Sequence, residues 1–366
     1  MIEVLAPGMQ STIQDTIRRN GIAYGISMGG AADIKSATLG NMLLGQSETL
    51  PILEIVRSPV KFQFHQDTTI SLTGFGMKWS LNHEISVDSW KQITLKKDSI
   101  LSGKPIQGGF RSYLCVAGGF EAVPFDDAHG TDLRLGLGGS IRALKKGDLL
   151  KINVLDSDFE QSFDATENHI LKRPSIQKHQ VANDPNQNQT KNLNHDQISA
   201  NLDSKIQSDT ISRSSSWRIS HELTSYAAQR TIRILPGPEL SWFNHSEVHR
   251  FMKSSWKIDS KSDRMGIRLQ DGFTPTMPSK EMLSTVVFPG TVQITASGPI
   301  ILFVDAQTTG GYPRIGQVCS VDLPVLAQKA PGEEIFFEWI SIEQALRLQE
   351  SEQAKLAQIK SAISLH

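Results

Sequence analysis

Cysteine is scarce in this 366-residue chain: two occur, Cys115 and Cys319, each flanked by apolar or small residues. So few thiols give no disulfide framework to expect, and reduced, packed side chains in a cytoplasmic protein are the natural reading. A charge excess is missing too. Lys and Arg number 37 against 38 Asp and Glu, a formal net charge of -1, so neither nucleic acid nor an anionic membrane is an expected partner. No stretch approaches the ~18 consecutive apolar residues of a membrane helix. The opening MIEVLAPGMQ has neither the basic n-region nor the apolar core of a signal peptide, and export is not expected. Phosphate-cradling motifs are absent as well. No G-x-x-x-x-G-K-[ST] loop occurs, Gly74-Phe-Gly76 lacks a third glycine, and Gly136-Leu-Gly138 does not continue as G-x-G-x-x-G.

One internal stretch lacks even more. From Asp164 to Ser216 there is no aromatic residue and no glycine, while Asn, Gln, Ser and Asp crowd together, as in Asn183–Gln189 (NDPNQNQ). That composition cannot bury enough apolar area to offset about 1–2 kcal/mol of backbone entropy per residue. A polar, disordered insertion over 156–228 is therefore expected. Its histidines, His169, His179 and His195, come without cysteine or a short ligand repeat, which favours a solvated linker over a metal tract.

What remains is β-rich on both sides. Residues 1–155 carry short strand patterns at Ile52–Val56, Lys61–His65, Thr68–Leu72, Ser86–Val87, Gln92–Leu95, Ser112–Val116 and Leu149–Val154. Residues 229–340 repeat the rhythm at Thr231–Ile234, Trp256–Ile258, Gly266–Leu269, Ser284–Val287, Thr291–Ile294, Ile300–Val304, Gln317–Ser320 and Glu334–Trp339. A mainly β fold of two halves follows. Ala31–Leu44 is the one convincing helix of the first half, with Gly45 as its C-terminal cap and an N-terminus able to hold an anion. Residues 341–366 are expected to form a polar helix with weak anchoring, since Ala345, Leu348, Ala357 and Ile359 sit among Glu, Gln and Lys.

The most informative stretch is Val304–Gly316. An apolar strand runs into Asp305, Gln307, Thr308 and Thr309, then Gly310 and Gly311, which permit close backbone approach to a ligand. Three further segments share this mixture: Gly108–Phe120 (GGFRSYLCVAGGF), Thr131–Leu149 (TDLRLGLGGSIRALKKGDL) and Ser262–Leu269 (SDRMGIRL). Together with Ile232–Glu239, Gly290–Ile294 and Val321–Gly332, they resemble the biotin-dependent carboxyltransferase-like family. Its members include the C-type component of 5-oxoprolinase, KipA, allophanate hydrolase subunit 2 and the carboxyltransferase region of urea carboxylase.

The resemblance implies two cyclophilin-like β-barrels and, through its 5-oxoprolinase branch, opening of the 5-oxoproline lactam to glutamate with ATP hydrolysis. It also implies two partner proteins: a B-type, KipI-like one and an A-type, LamB/YcsF-like one. ATP rests on the resemblance alone. The alternatives are a carboxyltransferase using biotin carried by another protein, since this chain lacks a carrier's Met-Lys pair, and a non-catalytic, KipA-like binding module. Gly25–Gly29 (GISMG) matches the nucleophile-elbow pattern, but the family commonly has proline where Ser27 stands, so Ser27 is read as a turn residue. A departure lies at Gln14–Asn20, which keeps Gln14, Asp15 and Arg18 of the family pattern but loses both of its glycines.

Lactam opening asks for groups that position phosphate, amide and charge together. Asp305, as a base or as an orienter of Arg314, Arg264 and Tyr312 are the expected catalytic group. Arg111, Tyr113, Arg134, Arg268, Gln307, Thr308, Thr309, Gly310, Gly311, Arg314, Gly30 and Asp33 are expected to bind substrate or nucleotide; no metal site is expected. If SDRMGIRL is extended, Arg264 and Arg268 share one face. The plainer reading for each arginine is a structural ion pair, with Asp132 or Asp263 as nearby partners.

Overall fold

The computed structural model of the protein describes residues 1–15, 18, 20–153, 210–215, 218–270, 273, 275–276, 278, 280 and 282–363. The expected insertion lies outside the described residues from 156 to 209.

The first half is two six-stranded sheets sharing one apolar core. One sheet runs Leu149–Leu150, Ile2–Ala6, Val60–Phe64, Ile100–Pro105, Met77–Leu81, Ile85–Val87. The other runs Ile211–Ser214, Gln92–Leu95, Thr68–Gly74, Arg111–Val116, Ile52–Val56, Ser11–Gln14. Strict alternation places Val60, Phe62 and Phe64, and likewise Met77, Trp79 and Leu81, on the inner face of the first sheet. The second sheet is different: Ile52–Val56 and Arg111–Val116 are buried at every position. Leu53, Ile55, Leu114 and Val116 face the shared core, while Ile52, Tyr113 and Cys115 face the opposite way, toward the helix Ile34–Leu43. This doubly covered sheet is where polar side chains become buried.

The helix begins three residues later than the expected Ala31, because Asp33 caps it: its carboxylate accepts the Ser36 backbone N–H at 3.0 Å. The end expected to hold an anion is thus occupied by the chain's own carboxylate. Gly45, at φ 66°, closes the other end through its N–H to the Met42 carbonyl at 2.8 Å.

In the second half, seven strands close a barrel in the order Thr231–Pro236, Arg314–Val318, Thr291–Thr295, Gly298–Leu302, Gly266–Gln270, Trp256–Ile258, Glu334–Trp339. Closure is the parallel pairing of the first and last of these, Ile232 opposite Phe337. Thr285–Val286 and Thr309–Gly310 form a separate two-stranded ribbon.

Three expectations need correction. Ile211–Ser214, placed by sequence in the linker, adds an edge strand beside Gln92–Leu95. Five strands lie where the pattern predicts none: Ile2–Ala6, Ser11–Gln14, Met77–Leu81, Ile100–Pro105 and Thr309–Gly310. The final helix, Ile342–Ile363, is anchored on the other half of the molecule. Leu356, Ile359 and Ile363 pack with Leu39, Met42 and Leu43, and Lys35–Glu352 (2.7 Å) and Lys360–Glu48 (2.9 Å) flank the contact.

Candidate functional site between the two halves

The segment Met28–Asp33 (MGGAAD) crosses between the halves, and nearly every backbone group in it is gripped from one side or the other. Gly29 N–H bonds the Val304 carbonyl (2.8 Å) and Ala31 N–H the Asp15 carbonyl (3.0 Å). Ala32 N–H bonds Glu54 Oε2 (2.8 Å) and Asp33 N–H the Tyr113 hydroxyl oxygen (2.8 Å). Gly29 and Gly30 sit at φ 61° and 79°, backbone that a side chain would strain.

Around this crossing lies a buried charge network. Arg264 donates to both oxygens of Asp305 (2.7 and 3.0 Å), to Glu54 Oε1 (2.6 Å) and to the Gly30 carbonyl (2.7 Å). Glu54 also takes the Tyr113 hydroxyl at 2.9 Å and has Arg111 Nε at 3.6 Å. Burial works to raise the Glu54 carboxyl, yet the Arg264 and Arg111 guanidiniums hold it below its ordinary value. Burial likewise opposes the charge on Arg264, but Asp305 and Glu54 keep it firmly protonated. Burial raises the Tyr113 hydroxyl well above the usual range, so it serves as a neutral donor.

Asp33 continues the network. Its carboxylate takes the Ser36 N–H and hydroxyl, the Tyr226 hydroxyl (2.7 Å) and Gln328 Nε2 (2.6 Å); burial raises its carboxyl despite these donors. Gln328 Oε1 in turn accepts the Phe110 and Arg111 N–H groups, both at 3.0 Å. Arg111 donates to the Ala327 carbonyl.

The structure thus brings together Arg264, Asp305, Arg111, Tyr113, Gly30 and Asp33 from the sequence-derived set. It does not bring Tyr312 there: that side chain is 45% exposed, beyond the ribbon. Arg314 pairs with Glu239 (2.7 Å from both Nε and Nη2) rather than with Asp305. Arg268 is exposed while Arg264 is buried, so they share no face. Arg264 precedes the strand Gly266–Gln270, in a turn fastened by Asp263 accepting the Met265 and Gly266 N–H groups, and strand alternation does not extend back to it. Arg134 is exposed. Asp132 accepts the Ser27 hydroxyl (2.9 Å) and the backbone of Arg134 and Leu135, so neither Asp132 nor Asp263 is the arginine partner expected. Gln307 and Thr308 are half-buried, Thr309 and Gly311 exposed and Gly310 buried, where an added Cβ would stand 2.6 Å from Gln293 Nε2. Among the described residues no group of three or more His, Cys, Asp or Glu is placed to hold a metal ion.

Sequence reasoning missed Glu54, Tyr226 and Gln328. Glu54 had a signal: it is the lone charge inside Ile52–Val56, and a carboxylate cannot be buried there without cationic partners. Tyr226 and Gln328 had none, since their partner Asp33 lies 193 and 295 residues away.

With this geometry in view, the known relatives fall into place. The family model described as carboxyltransferase domain, subdomain A and B, matches residues 24–339. The chain is similar to the C-type component of 5-oxoprolinase from Escherichia coli, 32% identical over 98% of this chain and 97% of that protein. It is similar to urea amidolyase of Lachancea kluyveri, 26% identical over 97% of this chain but 18% of that protein. The solved urea carboxylase of Kluyveromyces lactis shares the fold, with a TM-score of 0.76 at 24% identity, over 98% of this chain and 29% of that one; another, also longer, solved chain is spanned to 55%. Two β halves meeting at a glycine-rich crossing, matched over nearly their whole length, place this chain in the carboxyltransferase-domain family, subdomains A and B.

Proposed function

We propose that the chain is the C-type component of an ATP-dependent 5-oxoprolinase complex and helps open the 5-oxoproline lactam to L-glutamate. The observation that carries this reading is its end-to-end similarity to the Escherichia coli component of that kind, 98% of one chain on 97% of the other. ATP phosphorylates the amide oxygen, and water then attacks a far better electrophile. Arg264, Asp305 and Glu54 are held by one another, and Arg111 lies against Glu54 and donates to the Ala327 carbonyl, so their role is to fix the crossing. Contacts to substrate and nucleotide fall to solvent-reaching groups outside this network: Gln307, Thr308, Thr309, Tyr312, Arg134 and Arg268. The remaining components, of B (KipI-like) and A (LamB/YcsF-like) type, supply the rest of the site.

A second reading has its own support in the similarity to urea amidolyase: carboxyl transfer from carboxybiotin delivered by another protein. One assay separates them. The purified chain is mixed with its A-type and B-type partners, and glutamate release from 5-oxoproline is followed with and without ATP. Release that needs both ATP and this chain is expected. Equal release without the chain, or carboxyl exchange from carboxybiotin in place of release, overturns the proposal.

A further inference from the structure

Asp15 follows the strand Ser11–Gln14 and is 4% exposed, yet it backs a side chain that is open to solvent. Its Oδ2 accepts the His129 backbone N–H and lies 3.4 Å from His129 Nδ1, and the imidazole is 44% exposed. A buried carboxylate against Nδ1 selects the tautomer with the proton on that nitrogen and leaves the Nε2 lone pair free.

The surroundings hold this pair in place. Arg18, 1% exposed, donates to the Gly130 carbonyl (2.8 Å) and the Ser27 carbonyl (3.3 Å), and lies over the Phe125 ring at 5.2 Å. Independently, among the described residues three buried side-chain atoms of this corner have no hydrogen-bond partner: the acceptors Gln14 Oε1 and Asp15 Oδ1 and the donor Arg18 Nε. Gln14 cannot be turned over to relieve this, since its Nε2 already donates to the Thr131 carbonyl at 3.1 Å. Both oxygens converge on Gly130, 2.9 and 3.1 Å from where a Cβ would stand. Acceptors and a donor left open together beside an exposed imidazole suit a ligand that carries both kinds of group, such as a cyclic amide and its attacking water. The pair also adjoins the network already described: the Asp15 carbonyl takes the Ala31 N–H, and the preceding Gly30 carbonyl takes Arg264.

We propose that His129, oriented by Asp15, is the general base for lactam opening, an inference that rests on the 5-oxoprolinase reading. The water O–H bond breaks and its proton passes to His129 Nε2. The oxygen bonds the carbon of the ATP-activated lactam, the C=N π pair moves onto the ring nitrogen, and the imidazolium returns its proton there. The new hydroxyl then gives its proton to that nitrogen as its O–H pair forms C=O and the C–N bond breaks, opening the ring to an acyl phosphate that a second water hydrolyses to glutamate and phosphate.

The test uses the assembled complex with His129→Gln and His129→Gly. The half-exposed side chain makes both variants compatible with folding, and the backbone N–H to Asp15 is retained. Expected are a roughly 100-fold fall in kcat, KM within about twofold, and partial recovery of His129→Gly by added imidazole. Wild-type kcat in either variant, or a loss that imidazole does not touch, overturns the assignment to His129. No turnover by the wild-type complex removes the 5-oxoprolinase reading and this step with it, so the two failures are told apart.

Discussion

Glu54 shows how much a single buried charge can decide. It faces two guanidiniums, a phenol and a backbone N–H, and none of these has a solvent alternative. Glu54→Gln removes the charge and leaves Arg264 and Arg111 short of compensation, at a cost of about 3–5 kcal/mol. Because the folded carboxyl titrates below its ordinary value of 4.5, its contribution is fully present above that value and is lost as pH falls through the lowered one. The melting-temperature gap between wild type and Glu54→Gln is therefore wide at neutral pH and narrows as pH falls below 4.5 toward the lowered folded value; a gap that stays constant into acid would refute the assignment. Truncating Arg264 would likewise strand Glu54 and Asp305, so loss of turnover in such a variant mixes catalysis with folding. At this scale the sequence revealed which residue types matter, Arg264 and Asp305 among them, but not who pairs with whom. Partners 41 and 210 residues apart are set by the chain crossing, which no local pattern encodes.

The helix Ile34–Leu43 packs so closely on the second sheet that its own glycine is part of the contact. A Cβ on Gly40 would stand 2.4 Å from Cys115 Sγ and 3.1 Å from Thr73 Oγ1, while Ser71 Oγ donates to the Gly40 carbonyl at 2.6 Å. Gly40→Ala gains about 1 kcal/mol of helix propensity and loses about 1–3 kcal/mol to overpacking. Thermal unfolding is expected to show net destabilisation, against the propensity rule; a stabilised variant would mean that Cys115 and the helix can separate at little cost. Elements were the most legible level. Ile52–Val56, Gln92–Leu95, Trp256–Ile258 and Glu334–Trp339 fall where hydrophobic period and turn residues put them. The helix start was misplaced because Ala31 and Ala32 are good helix formers held instead by Asp15 and Glu54. Tertiary hydrogen bonds outweighed propensity there.

Over the whole molecule, the two halves share side chains rather than merely touching. Gln328 joins Asp33 to the backbone of Phe110 and Arg111, and Tyr226 reaches Asp33 from the same side. Replacing Gln328 by Leu orphans the buried Arg111 N–H, the part-buried Phe110 N–H and one carboxylate contact, about 1–3 kcal/mol for each fully buried group. Calorimetry of the wild type should show one transition, and Gln328→Leu should split it into two. Two transitions already present in the wild type would show that the halves melt independently. This coupling was invisible in composition, where 1–155 and 229–340 read as separate units.

The docking of Leu356 and Ile359 on Leu39 and Met42 also sets a timetable for biosynthesis. An early-made helix keeps a greasy flank uncovered until residues more than 300 positions downstream have left the ribosome, so the nascent first half depends on a chaperone, or on its own solubility, for most of its translation.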